Sequence, residues 1–311
     1  MFDRHRTHDG TLGTLMQPED PSATWPVVAA RLQRELGETC RSPRLLSSPW
    51  RSRATWAVST PTLGELVVKI RNADRAAEKA RWCALNLPLL AARGSPVPSI
   101  IWHGPLDDEW HVIVQRRLPG RSLRSLTWPL LDQVVKLVEL QADACALPTS
   151  EDRDFTGYIA HVLFDDWDDL WRDASSAGPH AEALCARLRE RLRPVWGLRL
   201  PACDFTNNDL NLSNILSDGQ HITGIVDWDE FGVGSRALDL VVLAFDCTRD
   251  GAVEMADRLL ARATKIVGDE GLRCLVSYRA IAMLAEDARE HLDSHSDTTT
   301  IARILDRLDG P

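Results

Sequence analysis

The chain has 311 residues, a net charge of −9, 44% hydrophobic residues and 26% charged residues. That length suits two domains or two coupled lobes, and the composition is that of an ordinary globular protein, which excludes disorder as its general state. No dense Lys/Arg run with interleaved aromatics occurs, so the electrostatic footprint of a nucleic-acid binder is missing. No segment approaches the ~18 consecutive apolar residues of a membrane span. Neither nucleic acid nor membrane is an expected partner. The charged stretch Met1–Gly10 is unlike a secretory leader, and a cytoplasmic location is expected. Seven scattered cysteines without a C-x-x-C pair read as ordinary reduced thiols.

Residues 1–22 mix Gly, Pro, His, Asp and Thr without period and read as a flexible N-terminal segment. An amphipathic helix is predicted over 23–36, with Val27, Val28, Ala30, Leu32 and Leu36 as its apolar positions and Gly37 as its stop. Strands are predicted at 54–59, 64–71 and 110–116, and an Ala-rich helix at 76–93 ends before Gly94 and Pro96. Leu118-Pro119-Gly120 breaks this mixed pattern. Helical periods then run through 128–146, 154–175, 180–196, 238–267, 271–291 and 300–308, interrupted by one strand-bearing island at 215–227. The expected organisation is a segment 1–22, an N-terminal lobe 23–117 and a helical C-terminal lobe 118–311.

The segment Asn207-Asn208-Asp209-Leu210-Asn211-Leu212-Ser213-Asn214-Ile215-Leu216, followed by Gly224-Ile225-Val226-Asp227-Trp228-Asp229, carries the chemistry. Phosphoryl transfer requires a carboxylate to accept a hydroxyl proton and oxygen ligands to hold Mg²⁺ against nucleotide phosphates. Asp209 suits the first task, and Asn214, five residues on, and Asp227, after a short strand over 222–226, suit the second. Only four lysines occur, and Lys69 is one of them, on the strand Leu66-Val67-Val68-Lys69-Ile70.

These motifs, in this order over residues 45–245, resemble the aminoglycoside phosphotransferase and choline kinase family, small-molecule kinases with a protein-kinase-like fold. Asn-Ile-Leu at 214–216, Val-Asp-Trp at 226–228, Gly234 and Asp239-Leu240 all match its pattern. The resemblance implies a bilobal α+β fold, with a five-stranded antiparallel sheet and a helix in a small N-lobe and a larger, mainly helical C-lobe. It implies Asp209 as catalytic base, Asn214 and Asp227 as ligands of Mg²⁺, and ATP or GTP as phosphate donor. Lys69 would reach the α- and β-phosphates with Glu78 as its helix carboxylate, and Arg116 and Leu118 would read the purine edge through their backbone. Asp239 would brace the catalytic loop. Asn207 stands where the family has His, and its amide can still donate and accept. The phosphate-covering stretch 47–54 contains no glycine, which leaves Ser52 and Arg53 as side-chain phosphate contacts.

The expected acceptor is a hydroxyl-bearing small molecule, cationic in preference to neutral. Phe164-Asp165-Asp166-Trp167-Asp168-Asp169-Leu170-Trp171 motivates this: a helix turning Val162, Leu163, Trp167, Leu170 and Trp171 to the core would leave Asp165, Asp168 and Asp169 toward solvent or cleft as uncompensated carboxylates. Asp229 and Glu230 follow the metal ligand, and Trp167 or Trp171 offers a surface on which a neutral nucleoside or sugar would stack. An antibiotic-modifying kinase leads; a metabolic kinase of an amino alcohol, sugar or nucleoside is the alternative, and an inactive binding module the third reading.

Overall fold

The computed structural model describes residues 21–46, 54–145, 154–165, 168–290 and 295–310. The N-terminal segment up to residue 20, Ser52, Arg53 and Trp167 lie outside the described residues. The chain divides into two compact units, Met1–Pro88 with Val97–Leu118, and Leu89–Pro96 with Pro119–Pro311.

The first unit contains α1 (Pro21–Leu36), β1 (Arg41–Leu45), β2 (Thr55–Thr60), β3 (Gly64–Asn72), most of α2 (Ala73–Ala92), β4 (Ile100–Pro105) and β5 (Trp110–Arg116). The strands form one antiparallel sheet in the order β1-β2-β3-β5-β4. Strand periodicity of two sends Trp56, Val58, Leu66, Val68, Ile70, Val112 and Val114 to one face, where Val28 and Leu32 of α1, four residues apart, pack on them. Lys69 falls on the alternate register and is nonetheless buried. The central strands β2, β3 and β5 were legible from sequence. The edge strands β1 and β4 carry Pro43 and Pro105 and lack clean alternation, as edge positions tolerate.

The second unit contains β6 (Arg121–Ser122), α3 (Trp128–Glu139), α4 (Phe155–Phe164), α5 (Asp168–Ser176), α6 (Pro179–Leu192), β7 (Asp204–Thr206), β8 (Ile215–Ser217), β9 (Ile222–Ile225) and β10 (Gly232–Gly234). It ends with α7 (Ala237–Arg249), α8 (Val253–Glu290), broken at Gly268 with φ 73°, and α9 (His295–Asp309). The α+β class expected from sequence, a five-stranded antiparallel sheet followed by a mainly helical region, is the observed one. One expectation needs correcting. The helix read as continuous over 154–175 is two helices, α4 capped by Asp154, whose side chain accepts from the Gly157 N–H, and α5.

Two features of the second unit set up the site. The sheet β6-β8-β9 begins just after Gly120, whose φ of 102° favours glycine, and a Cβ there would collide with Thr223 Oγ1. Helix α7 is apolar on every side, Ala-Leu-Asp-Leu-Val-Val-Leu-Ala-Phe, and is buried from Ala237 to Thr248. A helix apolar all round belongs in a core. Its two acids, Asp239 and Asp246, lie seven residues apart and therefore on one face, about 10 Å from each other along the axis.

Candidate active site

The loop between β7 and β8 is suspended from α7. Asp239, wholly buried, accepts from the backbone N–H of Asn207 (3.0 Å), the backbone N–H of Asn208 (2.7 Å) and the side-chain amide of Gln141 (2.8 Å). Burial pushes its pKa up to about 6, although all three donors pull it down. Asp246 accepts from the Leu212 N–H at 2.8 Å, so the same helix holds the loop a second time. Sequence reasoning found Asp239 through its motif and missed Asp246; an acid inside an otherwise apolar helix was the available signal.

Asn207 crosslinks the loop to the end of β9. Its amide donates to the carbonyls of Val226 (3.4 Å) and Asp227 (3.3 Å) and its side-chain oxygen accepts the Asp209 N–H (3.2 Å). The amide thus both donates and accepts, as expected of the residue standing in for His. Asn208 adopts a left-handed φ of 65°, accepts from Thr206 Oγ1 (2.6 Å) and donates to the Glu230 carbonyl (2.9 Å). Asn tolerates that conformation better than most residues.

At the centre, the Asp209 carboxylate accepts from Asn211 Nδ2 (3.0 Å) and from Asn214 Nδ2 (3.1 Å), which also donates to the Asp209 carbonyl (2.8 Å). The Asn214 carbonyl accepts the Val226 N–H at 2.9 Å, which sets Asp227 beside it. Asp209, Asn214 and Asp227 are therefore brought together within the second unit. Burial raises the Asp209 pKa, Arg279 and the Asn211 hydrogen bond oppose that, and Asp227 and Glu286 add to it. Asp227, with φ 56°, opens the turn Trp228–Glu230. That turn is anchored by Trp228, which donates to the Ile225 carbonyl (2.9 Å) and stacks on Phe205 with ring centroids 5.7 Å apart.

The remaining expected site residues are placed as follows. Lys69 is buried on β3, Glu78 is exposed on α2, Arg116 ends β5 with its N–H bonded to the Ser99 carbonyl, and Leu118 closes the first unit half-buried. Asp229 is half-buried and Glu230 exposed. The expectation of uncompensated carboxylates at 165–169 is corrected: Asp165 faces His161 Nδ1 at 3.1 Å and Asp169 pairs with Arg172 at 2.7 Å. Of the apolar set, Val162, Leu163 and Trp171 are buried as expected, Trp171 donating to the Val162 carbonyl at 3.0 Å. Asp143, Cys203 and Asp204 also bring ligand atoms within 4.8 Å of one another. Asp204, however, is taken up by Arg236 (3.0 Å) and by the Asp143 and Arg236 N–H groups, an anchoring arrangement.

The fold and the suspended loop place the protein among the kinase-like phosphotransferases. The chain belongs to the phosphotransferase enzyme family, whose model matches residues 43–275. No match is found among curated proteins. Solved structures similar to it include a thermostable mutant of aminoglycoside phosphotransferase APH(4)-Ia in complex with ADP and hygromycin B, at 15% identity and TM-score 0.69, covering 91% of this chain and 99% of that one. The amicoumacin kinase hAmiN, in complex with AMP-PNP and Ca²⁺, aligns at 13% identity and TM-score 0.57 over 86% of this chain and 87% of that one. A putative fructosamine-3-kinase from Haemophilus somnus aligns at 14% identity and TM-score 0.57 over 91% and 98%. At such identities the likeness is one of fold. Among the described residues no helix is long and apolar enough to cross a membrane.

Proposed function

We propose that this protein is a small-molecule O-phosphotransferase that moves the γ-phosphate of a nucleoside triphosphate onto a substrate hydroxyl. The observation that carries this reading is the loop 207–214, in which Asp209 is oriented by Asn211 and Asn214 while the backbone beneath it hangs from Asp239. Asp209 would take the hydroxyl proton. Positioning and electrostatic stabilisation are most of what a kinase supplies, and a base held from both sides needs no reorganisation at the moment of transfer.

The residues also suit Mg²⁺. Asn214 commits its NH₂ group to Asp209, which leaves its amide oxygen to face a cation, and Asp227 adds a carboxylate. Hard oxygen donors of this kind are what Mg²⁺ takes alongside phosphate oxygens. When bound, the ion would neutralise charge on the nucleotide phosphates. Lys69, Glu78, Arg116 and Leu118 would serve the nucleotide from the first unit, joined by Ser52 and Arg53. ADP and AMP-PNP in the aminoglycoside phosphotransferase and amicoumacin kinase complexes support ATP over GTP as donor.

For the acceptor, an antibiotic hydroxyl is the leading reading, supported by the fold likeness to the hygromycin B complex at TM-score 0.69. A metabolic kinase is the second, supported by the likeness to the putative fructosamine-3-kinase at TM-score 0.57. Asp229 and Glu230 follow Asp227 in the turn Trp228–Glu230 and are the acidic residues proposed to lie toward an acceptor amine, whereas Asp165 and Asp169 have His161 and Arg172 as basic neighbours. Purified protein with Mg²⁺ and ATP or GTP, screened against aminoglycosides, nucleoside antibiotics, amino alcohols and sugars, should release diphosphate with one acceptor class. Release that persists unchanged in Asp209→Ala would defeat the proposal.

A further inference from the structure

The second unit carries a cavity of about 600 Å³ that no sequence motif marks. It lies between the stretch 120–125, around β6, and the turn 217–219 that follows β8. That volume falls within the ~300–1,000 Å³ of small-molecule sites. The backbone fixes its walls: β6 pairs with β8 at Arg121–Ser217 and Ser122–Leu216, and the Leu123 N–H extends the pairing to the Ile215 carbonyl at 2.9 Å. Thr223 Oγ1 donates to the Pro119 carbonyl (2.6 Å), and the Gly219 N–H donates to Ser217 Oγ (2.9 Å). A Cβ at Gly219 would meet nothing within 4 Å, so the turn leaves open space beside it.

The lining is polar, with Leu123 as its single apolar side chain. Arg121 and Arg124 line it, are exposed and form no ion pair among the described residues, whereas Arg117 pairs with Glu65 (3.1 Å) and Arg236 with Asp204 (3.0 Å). Asp218 is the one acid in the lining, and its own turn engages it. Its Oδ1 accepts the N–H groups of Gln220 (2.9 Å) and His221 (2.8 Å), and its Oδ2 lies 3.7 Å from His221 Nδ1. Two guanidinium groups therefore share one cavity with no carboxylate paired to either. Ser122 and Ser125 line it as well, and their hydroxyls make no hydrogen bond among the described residues. A chain of net charge −9 repels anions at a distance, so its hold on one has to be local. Guanidinium forks with hydroxyl donors beside them are the groups that take phosphate oxygens. A carboxylate fills one fork; two arginines and two hydroxyls suit the three terminal oxygens of a phosphate monoester.

We infer that this cavity is a binding site for a phosphorylated small molecule, a phosphate monoester whose phosphate is held by Arg121 and Arg124 and whose organic part fills the space toward Ser217 and Gly219. The site is separate from the loop 207–214: Ser217 ends β8 three residues beyond Asn214, about 10 Å along an extended strand. The inference does not depend on the phosphotransferase reading.

Calorimetry on the full chain without nucleotide tests this, with glucose 6-phosphate, glycerol 3-phosphate, glucose, glycerol and inorganic phosphate as probes. At least one ester should bind with a Kd of about 1 mM or below, and its neutral parent and inorganic phosphate about tenfold more weakly or worse. Arg121→Gln combined with Arg124→Gln should weaken the ester at least about tenfold, which corresponds to ~1.4 kcal/mol. The melting temperature of the ligand-free double variant should match wild type, because both side chains are exposed. The corresponding double Lys variant should recover part of the affinity, and Asp218→Asn should keep or tighten it. Saturating AMP-PNP with Mg²⁺, or Asp209→Ala, should leave ester binding in place. No binding of either ester, equal binding of the parent or of inorganic phosphate, or binding that survives the double Gln substitution would each overturn the assignment. Displacement of the ester by AMP-PNP, or its loss in Asp209→Ala, would overturn it too, because the ester would then occupy the nucleotide or acceptor position of the phosphotransferase.

Discussion

In the first unit, the Leu66–Val68–Ile70 face of β3 is held by burial against Val28, Leu32 and the neighbouring strands, each such side chain contributing about 1.5–3 kcal/mol without directional demands. In the second unit, the loop 207–214 is held by hydrogen bonds to Asp239 and Asp246 on α7, whose apolar surroundings exclude water. Burial of apolar surface fixes which elements pack, with tolerance for repacking. Hydrogen bonds to a buried carboxylate fix where individual atoms stand, because leaving a donor unmade is costly. A reaction centre demands the second kind of precision.

The sharpest division between the two comes from Asp209→Ala. It removes the proposed base and no suspending contact, so kcat should fall ~10²–10⁴-fold with nucleotide affinity kept and the melting temperature little changed. Asp227→Ala should differ, losing Mg²⁺-dependent nucleotide binding, which calorimetry with AMP-PNP would register.

Asp239→Ala strands the Asn207 and Asn208 N–H groups and the Gln141 amide in a dry site. A loss on the order of 3 kcal/mol in stability is expected, with activity lost alongside it. Leu66→Ala should cost a similar ~2–5 kcal/mol through a cavity, yet leave kcat of the remaining folded protein near wild type. If Asp239→Ala melts and turns over like wild type, the loop is not suspended as described. Asp246→Asn keeps an acceptor for Leu212 and weakens the link to Arg249 (3.6 Å); a change of about 1 kcal/mol is expected in urea unfolding.

Acidification should move the two units in opposite directions by the smallest amounts. Folded Asp239 binds its proton more tightly than the unfolded chain, so its contribution is present below the unfolded value of about 3.9 and is lost as pH rises through about 6. His103 and His111, whose rings meet at 3.2 Å between β4 and β5, have pKa values lowered by burial, with each other's proximity adding to it for His111. Their contribution is present above about 6.5 and is lost as pH falls toward their lower folded values. Hydrogen exchange from pH 7 to pH 5 should show protection of the first unit falling while that of the loop around Asn207 holds or rises. The reverse pattern would break the comparison.

Much of this molecule was legible without coordinates. The central strands β2, β3 and β5 announce themselves by alternation, because each side of a central strand meets a different environment. The order of Asp209, Asn214, Asp227 and Asp239 marks the loop and its brace, because residues that share one loop and its flanking elements keep a readable spacing. The sequence alone also implied that Asn207 could replace His by donating and accepting, since that follows from the amide itself.

Tertiary structure decided the rest, and the reason is the same in each case. Edge strand β1 is exposed throughout and β4 buries only Gly104, so neither shows an apolar side chain at every second position. Asp165 and Asp169 looked uncompensated because a helix face read in isolation does not specify rotamers, and His161 and Arg172 occupy them. Asp246 lies 37 residues from Asp209 in the chain and reaches the loop only because α7 is buried beneath it. Charge and hydrogen-bonding capacity are properties of a residue type; which group they act on depends on distances that packing alone sets.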